Sequence, residues 1–229
     1  MMPIYFIVLV LSGLVPLLYT IYKQDFIKNW SSFTISTIII ATVFLIWDGF
    51  FTALGIWGFN PDYILGFNLF LMPLEEFLFF IVIPFCSLFL HYAIFYALPN
   101  MRLNKQLTIA VSCALILLSI LLVVMNFDKA YTAVNFTFLA LAIIVGLIMN
   151  IKALQQFYLS FLAILFPFIL VNGILTGMAT EHPVVWYDHI ENLNIRLITI
   201  PIEDIGYAFS MLFGNLLIFE SLKKRWTKV

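Results

Sequence analysis

The stretch Pro73-Leu74-Glu75-Glu76-Phe77-Leu78-Phe79-Phe80 places two adjacent acids at the start of an apolar segment that runs to residue 97. A related tetrad, Pro201-Ile202-Glu203-Asp204, lies near the start of the apolar segment 199–220. Proline suits the first turn of a helix, where its missing N–H costs nothing, and acids there meet the positive end of the helix dipole. Both tetrads therefore predict helix starts, and their recurrence indicates an internal repeat.

The composition of the chain predicts an all-α integral membrane protein. Of the 229 residues, 64% are apolar and 10% are charged, whereas soluble domains contain roughly 45–50% apolar and about 25% charged residues. This chain has too little polar surface to coat a water-soluble globule. A soluble oxidoreductase, a secreted disulfide scaffold and a basic nucleic-acid binder are excluded on the same ground. Membrane lipids are the expected surroundings, and no nucleic acid is expected as a partner.

Seven apolar segments are long enough to cross a hydrocarbon core roughly 30 Å thick, which takes about 20 helical residues. They are residues 3–22, 33–52, 73–97, 107–125, 131–150, 157–177 and 199–220. When the sides alternate, nine of the 11 Lys and Arg residues lie on one side, and only Lys129 and Arg196 lie on the other. Because basic loops stay in the cytoplasm, we predict that the N-terminus is outside and the C-terminus is cytoplasmic.

The internal repeat extends beyond the tetrads. Asp48-Gly49-Phe50-Phe51-Thr52 corresponds to Asn172-Gly173-Ile174-Leu175-Thr176. The two tetrads are slightly further apart along the chain than these two motifs are, because the second loop is longer. Corresponding helices are four spans apart and run in the same direction, which predicts two parallel three-helix repeats about an axis along the membrane normal. The predicted units are residues 1–98 and 130–229, with a connector helix in 99–129. The first helices of the two units match only weakly.

The acids of the two tetrads are candidates for chemistry. Ionisable groups within membrane spans are costly and indicate function, although a good helix start is the structural alternative. Adjacent helical residues point about 100° apart, so we expect one acid of each pair to face the bundle interior and the other to be held by a partner or a loop. A carboxyl group kept neutral in an apolar chamber can donate a proton.

Aromatic side chains near the acids predict a site that tolerates positive charge, because aromatic faces attract cations. The predicted substrate-binding residues are Phe70, Phe77, Phe79, Phe80, Tyr207 and Asn172. Packing in the core or against lipid is the alternative for each phenylalanine. The aromatic loops near 53–72 and 178–198 indicate either a belt at the membrane surface, which is favoured, or a substrate gate.

No metal and no cofactor is predicted. Glu181-His182 and Asp188-His189-x-Glu191 have the spacing of no defined metal site, and a solvated acidic loop is favoured for them. The sequence contains no glycine-rich loop that would hold a dinucleotide or a phosphate. The last predicted span contains no lysine, which argues against a retinal Schiff base.

The doubled tetrad resembles the membrane lycopene cyclases of the heterodimeric type found in carotenoid-making actinobacteria, in which two three-span subunits carry one copy each. This chain resembles the fused, single-chain form over most of its length. The resemblance implies a redox-neutral lycopene β-cyclase of carotenoid biosynthesis. In that reaction an acid protonates the terminal double bond of an open end group, the next double bond attacks the tertiary cation, and loss of a ring proton gives a β-ring.

By matching positions, the resemblance implies that Glu75 and Glu203 are the leading acid and base candidates. Glu76 and Asp204 would orient them or exchange protons with them, and Asp48 would be a hydrogen-bond partner. The resemblance further implies a carotenoid substrate taken from the bilayer, other carotenoid enzymes as partners, and a location in the bacterial cytoplasmic membrane. The Glu-Asp order of the second tetrad leaves open whether the two halves are equivalent.

Several alternatives remain at this point. Within the enzyme class, the ring could be ε or γ in place of β, the substrate could be a C50 carotenoid, and one or both ends could cyclise. From a different class, a proton-coupled membrane transporter would also use repeats and paired intramembrane acids. It would carry its acids near the bilayer midplane, whereas these lie at helix ends. A non-enzymatic assembly partner for carotenoid enzymes is a third reading.

Overall fold

The computed structural model of the chain describes residues 3–23 and 29–226. Within these residues, seven helices are long and apolar enough to cross a membrane. They are α1 (Ile4–Lys23), α2 (Trp30–Leu54), α3 (Leu74–Ala97), α4 (Lys105–Met125), α5 (Ala130–Met149), α6 (Ile151–Leu175) and α7 (Glu203–Trp226). The predicted all-α membrane fold is confirmed. Lys28 and Lys228, which contribute to the predicted orientation, lie outside the described residues.

Among the helix starts, that of α6 differs most from the sequence prediction, which placed it at residue 157. The helix begins at Ile151, directly after Asn150, the residue that also ends α5. The side-chain oxygen of Asn150 accepts a hydrogen bond from the backbone N–H of Ala153 at 3.2 Å. Hydropathy locates the apolar stretch, whereas the capping side chain sets the first turn. A single residue therefore joins two membrane-spanning helices.

The two predicted repeats interlock through their second helices. Within each repeat the first helix packs on the third, α1 on α3 and α5 on α7. The second helix α2 packs chiefly on α7, and α6 packs on α3. Small residues permit this close packing, as is usual between membrane helices: a Cβ atom at Gly214 would lie 3.0 Å from Ile40, and one at Gly206 would lie 2.5 Å from the Asn135 side-chain oxygen.

Short strands connect the helices at the end of the bundle where α3 and α7 begin, which we call the acidic end. The strands are β1 (Trp57–Phe59), β2 (Asn68–Leu69), β3 (Met72–Pro73), β4 (Val185–Tyr187), β5 (Arg196–Leu197) and β6 (Ile200–Pro201). The hairpins β2–β3 and β5–β6 lead into α3 and α7. At their turns, Phe70 and Ile198 have φ of 57° and 62°. These two positions coincide when the tetrads are aligned, so the hairpins repeat residue for residue.

Strands β1 and β4 form an antiparallel pair that joins the two repeats, with Trp57 opposite Tyr187. Trp57 is only 5% exposed, and its ring centre lies 5.2 Å from that of Tyr131. The favoured prediction of a membrane-surface belt is therefore wrong for Trp57, because the strand pair folds over the helix ends and turns this side chain inward. Trp186, by contrast, is exposed.

Candidate active site

The first acid of each tetrad holds the loop that precedes its own helix. Glu75 Oε1 accepts a hydrogen bond from the backbone N–H of Leu65 at 2.5 Å. Glu203 Oε1 accepts one from the backbone N–H of Leu193 at 2.7 Å, and Thr132 adds a second at 2.8 Å. Both carboxyl side chains are 0% exposed. Leu65 and Leu193 also coincide when the tetrads are aligned, so the same clamp is built twice.

The second acid of each tetrad points into a cavity of about 60 Å³ at the acidic end. Glu76 Oε2 accepts a hydrogen bond from the Tyr5 hydroxyl at 2.5 Å. Asp204 Oδ1 accepts one from Tyr131, and its Oδ2 accepts one from Tyr187 at 3.0 Å. Tyr5 on α1 and Tyr131 on α5 belong to corresponding helices, and each donates to the second acid of its own repeat. The cavity therefore contains two phenol–carboxyl pairs related by the repeat.

A third carboxyl breaks the symmetry of the cavity. Asp48, near the end of α2, accepts a hydrogen bond from the Tyr207 hydroxyl on α7 at 2.9 Å. The Asp48 and Glu76 carboxyls line the same cavity and interact electrostatically. The equivalent positions in the other half are Asn172 and Phe79, and both line the same cavity. One side of the cavity is thus richer in acidic and hydroxyl groups than the other.

The paired strands β1 and β4 cover the cavity at the acidic end. Trp57, Phe59, Val185 and Tyr187 of this pair all contribute to its wall. Burial, followed by the nearby Asp204 carboxyl, raises the pKa of Tyr187 well above the ordinary value of 10.0. The phenol therefore stays protonated and remains a hydrogen-bond donor. This strand pair therefore forms a lid over the cavity at the acidic end.

The structure brings six of the residues singled out in the sequence to the cavity wall. They are Asp48, Glu76, Phe79, Asn172, Asp204 and Tyr207. Phe80 packs in the aromatic core instead, with its ring centre 6.3 Å from that of Phe44. Phe77 is half-buried away from this wall. Phe70 is 93% exposed at the tip of its hairpin.

The structure places the two acids of each tetrad in different surroundings. The resemblance ranks Glu75 and Glu203 first, yet the cavity wall contains Glu76 and Asp204 in their place. The carboxyls of Glu75 and Glu203 instead accept hydrogen bonds from backbone N–H groups of the preceding loops. Since neighbouring helical positions diverge by about 100°, only one acid of each pair can reach the cavity. Spacing alone does not say which one.

Three tyrosines that bond the cavity acids, Tyr5, Tyr131 and Tyr187, are not among the predicted site residues. Tyr5 and Tyr131 belong to the first helices, where the repeat is weakest. The number of residues from Tyr5 to Tyr131 lies between the offset from Asp48 to Asn172 and the offset between the two tetrads. This agreement is a sequence signal that could have identified the two tyrosines. Tyr187 was assigned to the interfacial belt, and its turn toward the cavity depends on the pairing of β1 with β4.

The cavity combines acids, phenols and aromatic walls, which suits chemistry that adds and removes a proton at a hydrocarbon. Tyr131 and Tyr187 stack with ring centres 5.6 Å apart, and Trp57 lies edge-on to both. The faces of these aromatic rings can stabilise a cation that lies close to them. No group of three or more metal-ligating His, Cys, Asp and Glu side chains occurs within residues 3–23 and 29–226.

A family model described as lycopene cyclase matches residues 2–95 and 128–222. The two matched stretches correspond to the two repeats and leave out α4, the connector between them. No curated protein and no solved structure gives a significant match. The family match covers well over half of the chain, and all residues that line the acid cavity lie within the matched stretches. The chain therefore belongs to the lycopene cyclase family, as a fused, membrane-embedded member that carries both repeats and acts on carotenoids.

Proposed function

We propose that the protein is a lycopene β-cyclase that converts the open end groups of lycopene to β-rings, giving γ-carotene and β-carotene. The single observation that carries this proposal is the covered cavity, in which three carboxyls and four phenols from both repeats meet. The reaction adds one proton to the substrate and removes another. No electrons are transferred overall, so acids, bases and a cation-tolerant wall are the groups that it needs.

In this proposal the Asp48–Glu76 pair supplies the proton. Two neighbouring carboxyls in one cavity can share a proton, because a protonated carboxyl donates a hydrogen bond and an ionised one accepts it. Both side chains are buried, and two neighbouring negative charges in a buried site are strongly disfavoured. Tyr5 and Tyr207 donate to the two members of the pair and stabilise the negative charge that remains after the proton leaves. The proton goes to the terminal double bond, and a tertiary cation forms.

Asp204 is the proposed base. Its two oxygens accept hydrogen bonds from Tyr131 and Tyr187, which is the arrangement that an ionised carboxylate favours. After the next double bond attacks the tertiary cation and closes the ring, Asp204 removes a ring proton and the new double bond forms. The aromatic faces of Trp57, Tyr131 and Tyr187 stabilise the cation between the two proton transfers.

Glu75 and Glu203 have a positioning role in this scheme. Each clamps the loop that leads into its helix, and the loops in turn support the hairpins beside the lid. The proposed domains are the repeats 1–98 and 130–229, with residues 99–129 connecting them. We further propose that the acidic end faces the outside of a bacterial cytoplasmic membrane, since the described basic residues lie mainly at the opposite end.

The test is to express the chain in a bacterium engineered to accumulate lycopene and to separate the pigments by chromatography. We expect β-carotene or γ-carotene from the wild type. Glu76→Gln and Asp204→Asn should each lower conversion about 100-fold, the magnitude typical of losing a general acid or base. Asp62→Asn is the matched control, because Asp62 is an exposed acid of the first loop and should convert lycopene at the wild-type rate.

Three outcomes would contradict the proposal. Unchanged lycopene, with wild-type protein present in the membrane, would remove lycopene as the substrate. A product with ε- or γ-rings would keep the cyclase but move the base, because ring type depends on which proton is lost. Full activity of Glu76→Gln would shift the acid to another residue.

A further inference from the structure

Two apolar grooves follow the two third helices away from the acidic end. The α3–α6 groove has a volume of about 120 Å³, and its mostly apolar lining includes Ser12, Ile83, Cys86, Leu90, Pro167 and Phe168. The α2–α7 groove has a volume of about 480 Å³, and its lining includes Ile40, Val43, Phe44, Phe138, Gly214 and Ile218. Among the described residues, no charged side chain lines either groove.

The grooves are counterparts under the internal repeat. Leu90 on α3 corresponds to Ile218 on α7 when the tetrads are aligned. Phe168 on α6 corresponds to Phe44 on α2 in the alignment of the second helices, and Ser12 corresponds to Phe138 in that of the first helices. Each groove is thus formed by the first and third helices of one half and the second helix of the other half. Any difference between the grooves comes from their side chains.

The α3–α6 groove adjoins the acid cavity. Phe79 and Asn172 line both the groove and the cavity, so these two side chains are a shared wall. Within the described part of the chain, the α2–α7 groove has no lining residue in common with the acid cavity. The larger groove is therefore the one that does not reach the acids.

Side chains at the head of the α2–α7 groove explain its separation from the acids. Tyr207 stands where the other half has Phe79, and its hydroxyl is bonded to Asp48. Phe44 packs edge-on against Tyr207 with ring centres 5.0 Å apart, and Phe138 packs on Phe44 at 5.7 Å. This hydrogen-bonded and aromatic plug holds the head of the groove closed.

The dimensions of the α3–α6 groove suit a long hydrocarbon. From Phe79 to Leu90 the helix rises about 16 Å at about 1.5 Å per residue, which is roughly half of the hydrocarbon thickness. Pro167 on α6 is exposed at the groove edge, where lipid tails would meet the bundle. A chain lying here would run from the acid cavity toward the middle of the bilayer.

We propose that the α3–α6 groove binds the polyene chain of an acyclic carotenoid while the end group of that molecule lies among the carboxyls. The inference rests on the proposed function and adds the direction from which the substrate reaches the acids. The acid cavity of about 60 Å³ is smaller than ordinary ligand pockets, which start near roughly 300 Å³. Phe79 and Asn172 must therefore swing aside on binding and merge the cavity with the groove. The α2–α7 groove takes no substrate.

The test compares two equivalent substitutions that fill the grooves. Leu90→Trp adds bulk to the α3–α6 groove, and Ile218→Trp adds it to the α2–α7 groove at the matching position; both native side chains are half-buried. Two quantities are measured in the lycopene-accumulating host. The first is product formed per unit of membrane protein, and the second is polyene absorbance retained by the purified protein.

We expect Leu90→Trp to lower both quantities roughly tenfold, as overpacking of a filled site would, and Ile218→Trp to leave both within about twofold of the wild type. Cys86→Phe, which narrows the α3–α6 groove at its middle, should behave like Leu90→Trp and guards against a folding defect in one variant. Wild-type values for both α3–α6 variants, or an equal loss in Ile218→Trp, would overturn the groove assignment.

The two readouts separate the failure of this inference from the failure of the cyclase proposal. If the wild type retains lycopene without converting it, and Leu90→Trp abolishes retention, the groove stands and the reaction assignment falls. If the wild type converts lycopene and the groove variants do too, the reaction stands and the groove falls. A wild type that neither retains nor converts lycopene overturns both.

Discussion

Tyr207 of α7 donates a hydrogen bond to Asp48 of α2 across the interface between the two repeats, at 2.9 Å. The bond joins a third helix of one half to a second helix of the other. It follows the pattern of packing, in which α2 lies chiefly on α7. The acid site is therefore a property of the interface and belongs to neither repeat alone.

Removal of this hydrogen bond should impair catalysis more than folding. A hydrogen bond to a charged group contributes about 1.5–3 kcal/mol, which corresponds to a loss of about tenfold to hundredfold in conversion for Tyr207→Phe. Pigment analysis with the membrane protein level as reference is the measurement. Tyr96→Phe is the control, since Tyr96 is exposed and should convert at the wild-type rate. Equal losses of conversion in the two variants would mean that the hydrogen bond from Tyr207 to Asp48 does not contribute to catalysis.

The equivalent tyrosines of the two first helices should not be equally important. Asp204 keeps a second phenol donor, Tyr187, when Tyr131 is replaced by Phe, whereas Tyr5 is the phenol that bonds Glu76. We expect Tyr5→Phe to lower conversion about tenfold and Tyr131→Phe about threefold, within the range for hydrogen bonds of this kind. The double variant Tyr131→Phe with Tyr187→Phe should fall below either single one. The reverse order for Tyr5 and Tyr131 would argue against Glu76 as a proton donor.

The loop clamps predict a contrast between two substitutions of one residue. Glu75→Gln keeps an oxygen that accepts from the Leu65 N–H, and it should retain most of the activity and stability. Glu75→Leu leaves that N–H without its acceptor, which costs about 1–3 kcal/mol. Thermal aggregation of the detergent-solubilised protein measures the second effect. If Glu75→Gln is as inactive as Glu76→Gln, then Glu75 takes part in proton transfer and is not a clamp alone.

The close approach of α5 and α7 gives a stability prediction that is independent of the chemistry. A Cβ atom at Gly206 would lie 2.5 Å from the Asn135 side-chain oxygen, and Asn135 is fully buried with no hydrogen-bond partner for its amide in the described part of the chain. Gly206→Ala should destabilise the protein by about 1–3 kcal/mol. Asn135→Ala should relieve part of this loss in the double variant, with a coupling of about 1 kcal/mol. Additive effects would show that the two residues do not contact each other.

A single acid cavity also predicts the order of products. Only one end group of a long polyene can lie among Asp48, Glu76 and Asp204 at a time, so a molecule that gains two rings must leave and return with its other end. A time course after induction should therefore show a monocyclic carotene before the bicyclic one. Direct appearance of the bicyclic product, with no monocyclic species at the earliest times, would require a second reaction site.

The sequence alone was sufficient for the architecture because hydropathy and the doubled tetrad are local signals. Seven spans and the acidic helix starts at Glu75 and Glu203 follow from residues that are adjacent in the chain. Which acid of each pair lines the cavity did not follow, because the other acid is held by a backbone N–H in the preceding loop, at Leu65 or Leu193. Tyr187 joined the site only through the strand pair between repeats, a contact that sequence periodicity does not encode.

The interlocked packing of α2 with α7 has a consequence for biosynthesis. A ribosome completes about 5–20 residues each second, so α2 enters the membrane well before α7 is made. During that interval Asp48 has no Tyr207 to bond it, and an acid in a membrane span without its partner is costly. The nascent chain must therefore shelter Asp48 by other means, by water, lipid headgroups or the insertion machinery, until α7 arrives. The proposed acid site is therefore complete only after α7 has packed against α2.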